Sequence, residues 1–214
     1  MPRSRFPLRS LSLAVPLALA LTACGGADSG KAENGPAKGQ AKETAPAGVA
    51  HQHTVLEAEI AANGGETKAG EYRVGYIVEA AEPWFEAKGG KGGKHAGHMM
   101  DPELVNRAPA KDETHHIEII PMEAKTGRIV PDVPIRLEVI DDKGKVVQAQ
   151  DLNFYYAEFF HYANNFSIPK NGKYTLRATL QRPTFLRHGG SGEKPALSEK
   201  TTATFRNVEL KSGN

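Results

Sequence analysis

The sequence predicts an all-β fold, a sandwich of two sheets, and three observations carry that reading. Short segments of alternating apolar and polar residues recur at close intervals from about residue 54 to residue 210. Turn residues punctuate them, most clearly Asp141, Asp142 and Gly144 between the stretches 135–140 and 145–152. No amphipathic helix of convincing length interrupts the series. A run of short strands with this patterning points to a sandwich of immunoglobulin-like type.

The first 23 residues stand apart as a secretory signal peptide. Arg3, Arg5 and Arg9 precede an apolar run over 11–21 and a small-residue cleavage site, a pattern too short to span a bilayer. Leu21, Thr22, Ala23 and Cys24 resemble the bacterial lipobox, in which the cysteine is lipidated and becomes the mature N-terminus. Cys24 is the only cysteine, which rules out disulfides within the chain. Over 24–50 the residues are almost all Gly, Ala, Lys, Glu, Pro, Ser and Thr. Such a segment cannot bury enough apolar surface to offset its ordering entropy and is expected to be a disordered tether. The folded domain is assigned to 51–214.

The formal charge of +2 becomes −1 once the three arginines leave with the leader, and nothing in that balance suggests nucleic acid. No later apolar run approaches spanning length, so attachment to the membrane would rest on lipid alone.

Within the domain, 54–62 and 72–81 read as strands separated by the turn signal Asn63, Gly64 and Gly65. The stretch 88–100 is a flexible loop of Gly, Lys, His and Met, ending in His98, Met99 and Met100. Strands follow at 114–122 and 135–140, the latter forming a hairpin with 145–152. Others are placed at 166–169, 173–181 and 201–210. Between 151 and 166 lies a connecting segment in which seven of sixteen residues are aromatic.

The first strand after the glycine-rich loop carries the chemistry. Successive strand side chains point to opposite faces, so His116 and Glu118 stand on one wall with Ile117 and Ile119 on the other. His161 is an imidazole set in the aromatic segment, with Glu158 three residues before it and Asn164 three after. His188 follows in a late glycine-rich loop. A sandwich could bring these segments to one edge, and imidazole plus carboxylate suits a divalent first-row ion such as copper, iron or zinc.

These residues carry a resemblance. His-Ile-Glu at 116–118, Asp-Asp-Lys-Gly at 141–144, His-Tyr-Ala-Asn at 161–164, Gly-Lys-Tyr-Thr-Leu at 172–176 and Arg187 with His188 make the stretch from about 114 to 204 similar to the bacterial periplasmic iron-transport protein family. That resemblance implies an immunoglobulin-like sandwich that forms a homodimer, copper-dependent iron uptake, and partnership with an iron permease in the membrane. It implies His116, Glu118, His161 and His188 as copper ligands or their neighbours, with Glu118 the variable oxygen donor. Family members carry a methionine seven residues before the histidine of His-Tyr-x-Asn, where this chain has Phe154. His98, Met99 and Met100 are additional candidates to replace that thioether.

The resulting expectation is a lipid-anchored, extracytoplasmic copper- and iron-binding protein that supports iron uptake, on the periplasmic or outer face of a bacterial membrane. Binding rather than catalysis is expected: there is no recognisable Ser-His-Asp or Cys-His arrangement, phosphate-cradling glycine motif or paired catalytic carboxylate setting. Two other classes remain open, a structural or adhesion sandwich without metal and a copper redox enzyme. The latter is disfavoured because His51 and His53, the only His-x-His pair, lie at the tether boundary.

Overall fold

Alternation along the strands builds two large sheets that share a core. The computed structural model describes residues 47–88 and 103–212. In chain order these form α1 (Ala47–Asn63), β1 (Gly64–Ala69), β2 (Tyr72–Ala80), β3 (Trp84–Ala87), β4 (Leu104–Arg107), β5 (His115–Glu123), β6 (Ile135–Ile140), β7 (Val146–Asp151), β8 (Asn153–Tyr156), β9 (Phe160–Phe166), β10 (Gly172–Leu180) and β11 (Thr201–Leu210). A five-stranded sheet runs β1-β2-β5-β9-β8, a four-stranded sheet β11-β10-β6-β7, and β3 pairs with β4 alone. Every pairing is antiparallel. The chain is thus mostly β, with one helix among the described residues.

The inner core takes one face from each large sheet. Tyr72 and Val74 of β2, Ile117 and Ile119 of β5 and Phe166 of β9 are buried with Leu137, Val139, Leu176, Leu180 and Phe205 from the other sheet. Each such side chain contributes about 1.5–3 kcal/mol by leaving water. Tyr162 joins this core and uses its polar end: the hydroxyl donates to the Val130 carbonyl at 3.1 Å and accepts the Val133 N–H at 2.9 Å, which pins the β5–β6 connection to β9.

The outer face of the five-stranded sheet is covered by α1, and here the sequence reading needs correction. Residues 54–62 are helical, not a strand. Leu56, Ala58 and Ile60 fit a strand's period of two, but Leu56 and Ile60 are buried while Ala58 is exposed, the burial of an i, i+4 pair on one helix face. Both pack with Ile77, Ile120, Met122 and Phe159 in a second, smaller core. Close approach is possible because β2 has a glycine beneath: a Cβ at Gly75 would lie 2.7 Å from Ile60 Cδ1. Arg73 straps the helix down, bonding Glu57 at 2.6 Å and Met122 Sδ at 3.1 Å. The helix begins at Ala47, within the span assigned to the tether, and its C-terminus runs directly into β1.

A second correction concerns the aromatic segment. Residues 153–166 are no connection but the hairpin β8–β9, registered with Tyr155 opposite His161 and Phe154 opposite Tyr162. Strand 166–169 is absent, since β9 ends at Phe166. Aromatic residues favour a pleated, half-buried surface, and alternation disposes of seven of them on two faces. Among the described residues no helix is long and apolar enough to cross a membrane.

Candidate metal centre

Beyond the helix, the outer face of the same sheet turns polar. His116 and Glu118 project from β5, and His161 from the neighbouring strand β9, each by the alternation that sends Ile117, Ile119 and Tyr162 inward. All three are buried, at 4%, 6% and 6% exposure. One potential ligand atom from each lies within 4.8 Å of the other two. His161 Nε2 is 3.9 Å from Glu118 Oε1, and the two imidazole rings stand edge to face at 6.3 Å.

The hydrogen bonds fix which nitrogens are free. His161 Nδ1 faces the Phe159 carbonyl at 3.3 Å, an acceptor only, so Nδ1 carries the proton and Nε2 presents its lone pair toward Glu118. His116 Nδ1 meets Asn165 Oδ1 at 2.9 Å. That amide cannot be flipped, because its nitrogen donates to the Glu82 carbonyl at 2.8 Å and to Glu113 Oε2 at 3.3 Å while its oxygen accepts the Glu82 N–H. Its oxygen therefore takes the His116 Nδ1 proton, and Nε2 of His116 is bare as well.

Electrostatics point the same way. Burial holds both imidazoles below the ordinary histidine range, His161 down to about 4. Burial pushes the Glu118 carboxyl up to about 8, helped by the nearby charges of Glu79, Glu59, Glu82 and Glu158. Glu118 Oε2 is buried with no hydrogen-bond partner in the protein. Two neutral imidazoles with free lone pairs, a carboxylate costly to ionise alone, and a surround of acids form a donor set that fits a first-row divalent cation. Held Nδ1 protons are the arrangement that metal-binding histidines use to orient their other nitrogen.

The other sequence candidates lie elsewhere. His188 is exposed on the segment between β10 and β11 and does not join the cluster. Cys24, His98, Met99 and Met100 fall outside the described residues. Phe154 packs on Phe160 at 5.2 Å and Tyr162 at 4.8 Å, while its neighbour Tyr155 stacks on His161 at 5.7 Å and 17°. The residue of β8 that faces the site is therefore Tyr155. Sequence reasoning also missed Asn165, favouring Asn164. Counting in twos from His161, through Ala163 to Asn165, would have found it had the segment been read as a strand.

The family model described as Fe2+ transport protein matches residues 95–207, more than half the chain. Among solved structures the fold is similar to FetP of uropathogenic E. coli strain F11 (16% identity, TM-score 0.45, covering 70% of this chain and 96% of that one). It is similar too to a copper-bound variant of Campylobacter jejuni P19 (16% identity, TM-score 0.46, 70% and 98%). Copper-reconstituted P19 gives 14% identity and a TM-score of 0.47, covering 70% and 97%. No curated protein matches.

Proposed function

Since the chain belongs to the Fe2+ transport protein family, we propose that it is an exported metal-binding protein that captures copper or iron at His116, Glu118 and His161 and supplies an iron permease. The observation that carries this reading is the buried, unpartnered Glu118 oxygen beside two imidazole nitrogens whose other ring positions are held by acceptors. Metal is cargo here rather than a catalyst, and the residues' work is to present three donors in a water-poor recess. Copper suits the nitrogen-rich set and iron suits the carboxylate.

The remainder of the reading joins to that site. Cys24 carries the lipid, the segment after it is the tether as far as the start of α1 at Ala47, and the domain that follows is an immunoglobulin-like sandwich. His116, Glu118 and His161 are the ligands, His188 stands apart from them on its exposed segment, and His98, Met99 and Met100 are additional metal donors. The protein acts as a homodimer, a reading supported by the exposed rings of Phe154, Tyr156 and Phe160, 43%, 66% and 46% accessible along the β8 edge.

A Cu(II) titration of the full-length chain against a competing chelator, read by electron paramagnetic resonance, tests the proposal. One strong nitrogen-rich site is expected. His161→Ala should weaken it by more than the ~10–100-fold typical of losing an outer partner. Binding that is equally strong without His161 would remove the site from the sandwich face.

A further inference from the structure

The two histidines are held by one element that neither belongs to. On one side, Arg107 of β4 grips Glu113 through two charge-assisted bonds, Nη1 to Oε2 at 2.8 Å and Nη2 to Oε1 at 2.6 Å. Glu113 also receives the Ala110 N–H at 2.7 Å and the Asn165 amide at 3.3 Å, and Asn165 fixes His116. On the other side, the Arg107 guanidinium lies 4.0 Å over the ring of Trp84, its cross-strand partner on β3. Trp84 meets Tyr155 edge to face at 5.7 Å, and Tyr155 stacks on His161.

We infer that the β3–β4 hairpin is a clamp that positions both histidines, with Arg107 as its pivot: through Glu113 and Asn165 it sets the ring of His116, and through Trp84 and Tyr155 that of His161. This deepens the metal-binding reading and rests on it for its purpose. Its geometry stands without metal. Glu82, two residues before Trp84, exchanges both backbone hydrogen bonds with the Asn165 amide, so the entry to β3 is seated on the His116 branch before the chain reaches the His161 branch. A hairpin with four residues in each strand could not be stable by itself, and these two seats are what hold it to the large sheet. Arg107, Glu113, Trp84 and Tyr155 are positioning residues, since none supplies an atom to the three-donor cluster.

The test uses the full-length chain and two readouts. Arg107→Gln removes the bidentate charge and the cation over Trp84, and Trp84→Leu cuts the Tyr155 branch alone. Cu(II) affinity is expected to fall about 10–100-fold in Arg107→Gln and by the lower end of that range in Trp84→Leu, with circular dichroism unchanged. In the metal-free proteins, proton–nitrogen correlation spectra of the imidazoles should show in all three the single His116 tautomer that Glu82 secures through Asn165, with the His116 Nδ1–H signal shifted in Arg107→Gln and the His161 signal shifted in Trp84→Leu. Unchanged affinity in both variants, or a His116 Nδ1–H signal in Arg107→Gln identical to wild type, overturns the clamp. If Arg107→Gln does not fold, Trp84→Leu decides: a weakened site supports the clamp and an unweakened one overturns it. Should wild type bind no copper, the metal-binding reading fails, while the imidazole signals still decide the clamp.

Discussion

The two faces of β5 solve burial in different ways. Ile117 and Ile119 look inward at other hydrocarbons and need nothing more than fit. On the reverse, Ile120 and Met122 are covered by α1, while His116 and Glu118 are buried among polar groups that each require a named partner. Neighbouring strands follow the same division, Tyr162 and Phe166 inward against His161 and Asn165 outward. One face is built for stability, and the other spends stability on a site. That contrast is measurable.

The largest effect should come from the inner face. Phe166→Ala is expected to cost about 3–5 kcal/mol in chemical denaturation, since the side chain is wholly enclosed between the sheets. Next, Leu56→Ala under the helix should cost about 2–3 kcal/mol, toward the lower end for leucine because a helix on one side of a sheet can settle into the gap. A cost equal to that of Phe166→Ala would erase the distinction between the principal core and the helix-covered patch.

Glu118→Gln should act in the opposite direction. The folded carboxyl is raised from 4.5 to about 8. Its contribution is therefore fully present below the unfolded value and is lost as pH rises through the folded one. His161, lowered from 6.5 to about 4, adds the reverse slope as pH falls below its ordinary value. Between about pH 6.5 and 8 the carboxyl slope stands clear, and metal-free wild type should lose on the order of 2 kcal/mol that Glu118→Gln keeps. Thermal melts of the two across that window check the sign. The smallest effect belongs to neither face: Arg136→Ala breaks an exposed pair with Asp151 and should change stability by under ~1 kcal/mol.

What the sequence revealed follows this division. Strands whose outward residues meet solvent, such as β6 and β10 with apolar residues inward at every second position, are legible by alternation alone. The wall shared by His116 and Glu118 is legible for the same reason. The helix was not, because Leu56, Ala58 and Ile60 satisfy two periods and only burial of the first and third decides between them. The β8–β9 hairpin was hidden by its surplus of rings, which obscures any polar alternation. Arg107 and Trp84 were beyond reach for a deeper reason: their roles arise from contacts between residues far apart in the chain, as between Trp84 and Tyr155, and no local pattern records those.

Trp84 is the only tryptophan in the chain, and it sits one ring away from the imidazole of His161. Its emission is therefore an intrinsic gauge of the site. Quenching on addition of copper(II) would count occupancy at micromolar protein without a label, and the wavelength of the remaining light would tell whether the hairpin has stayed closed over its charge.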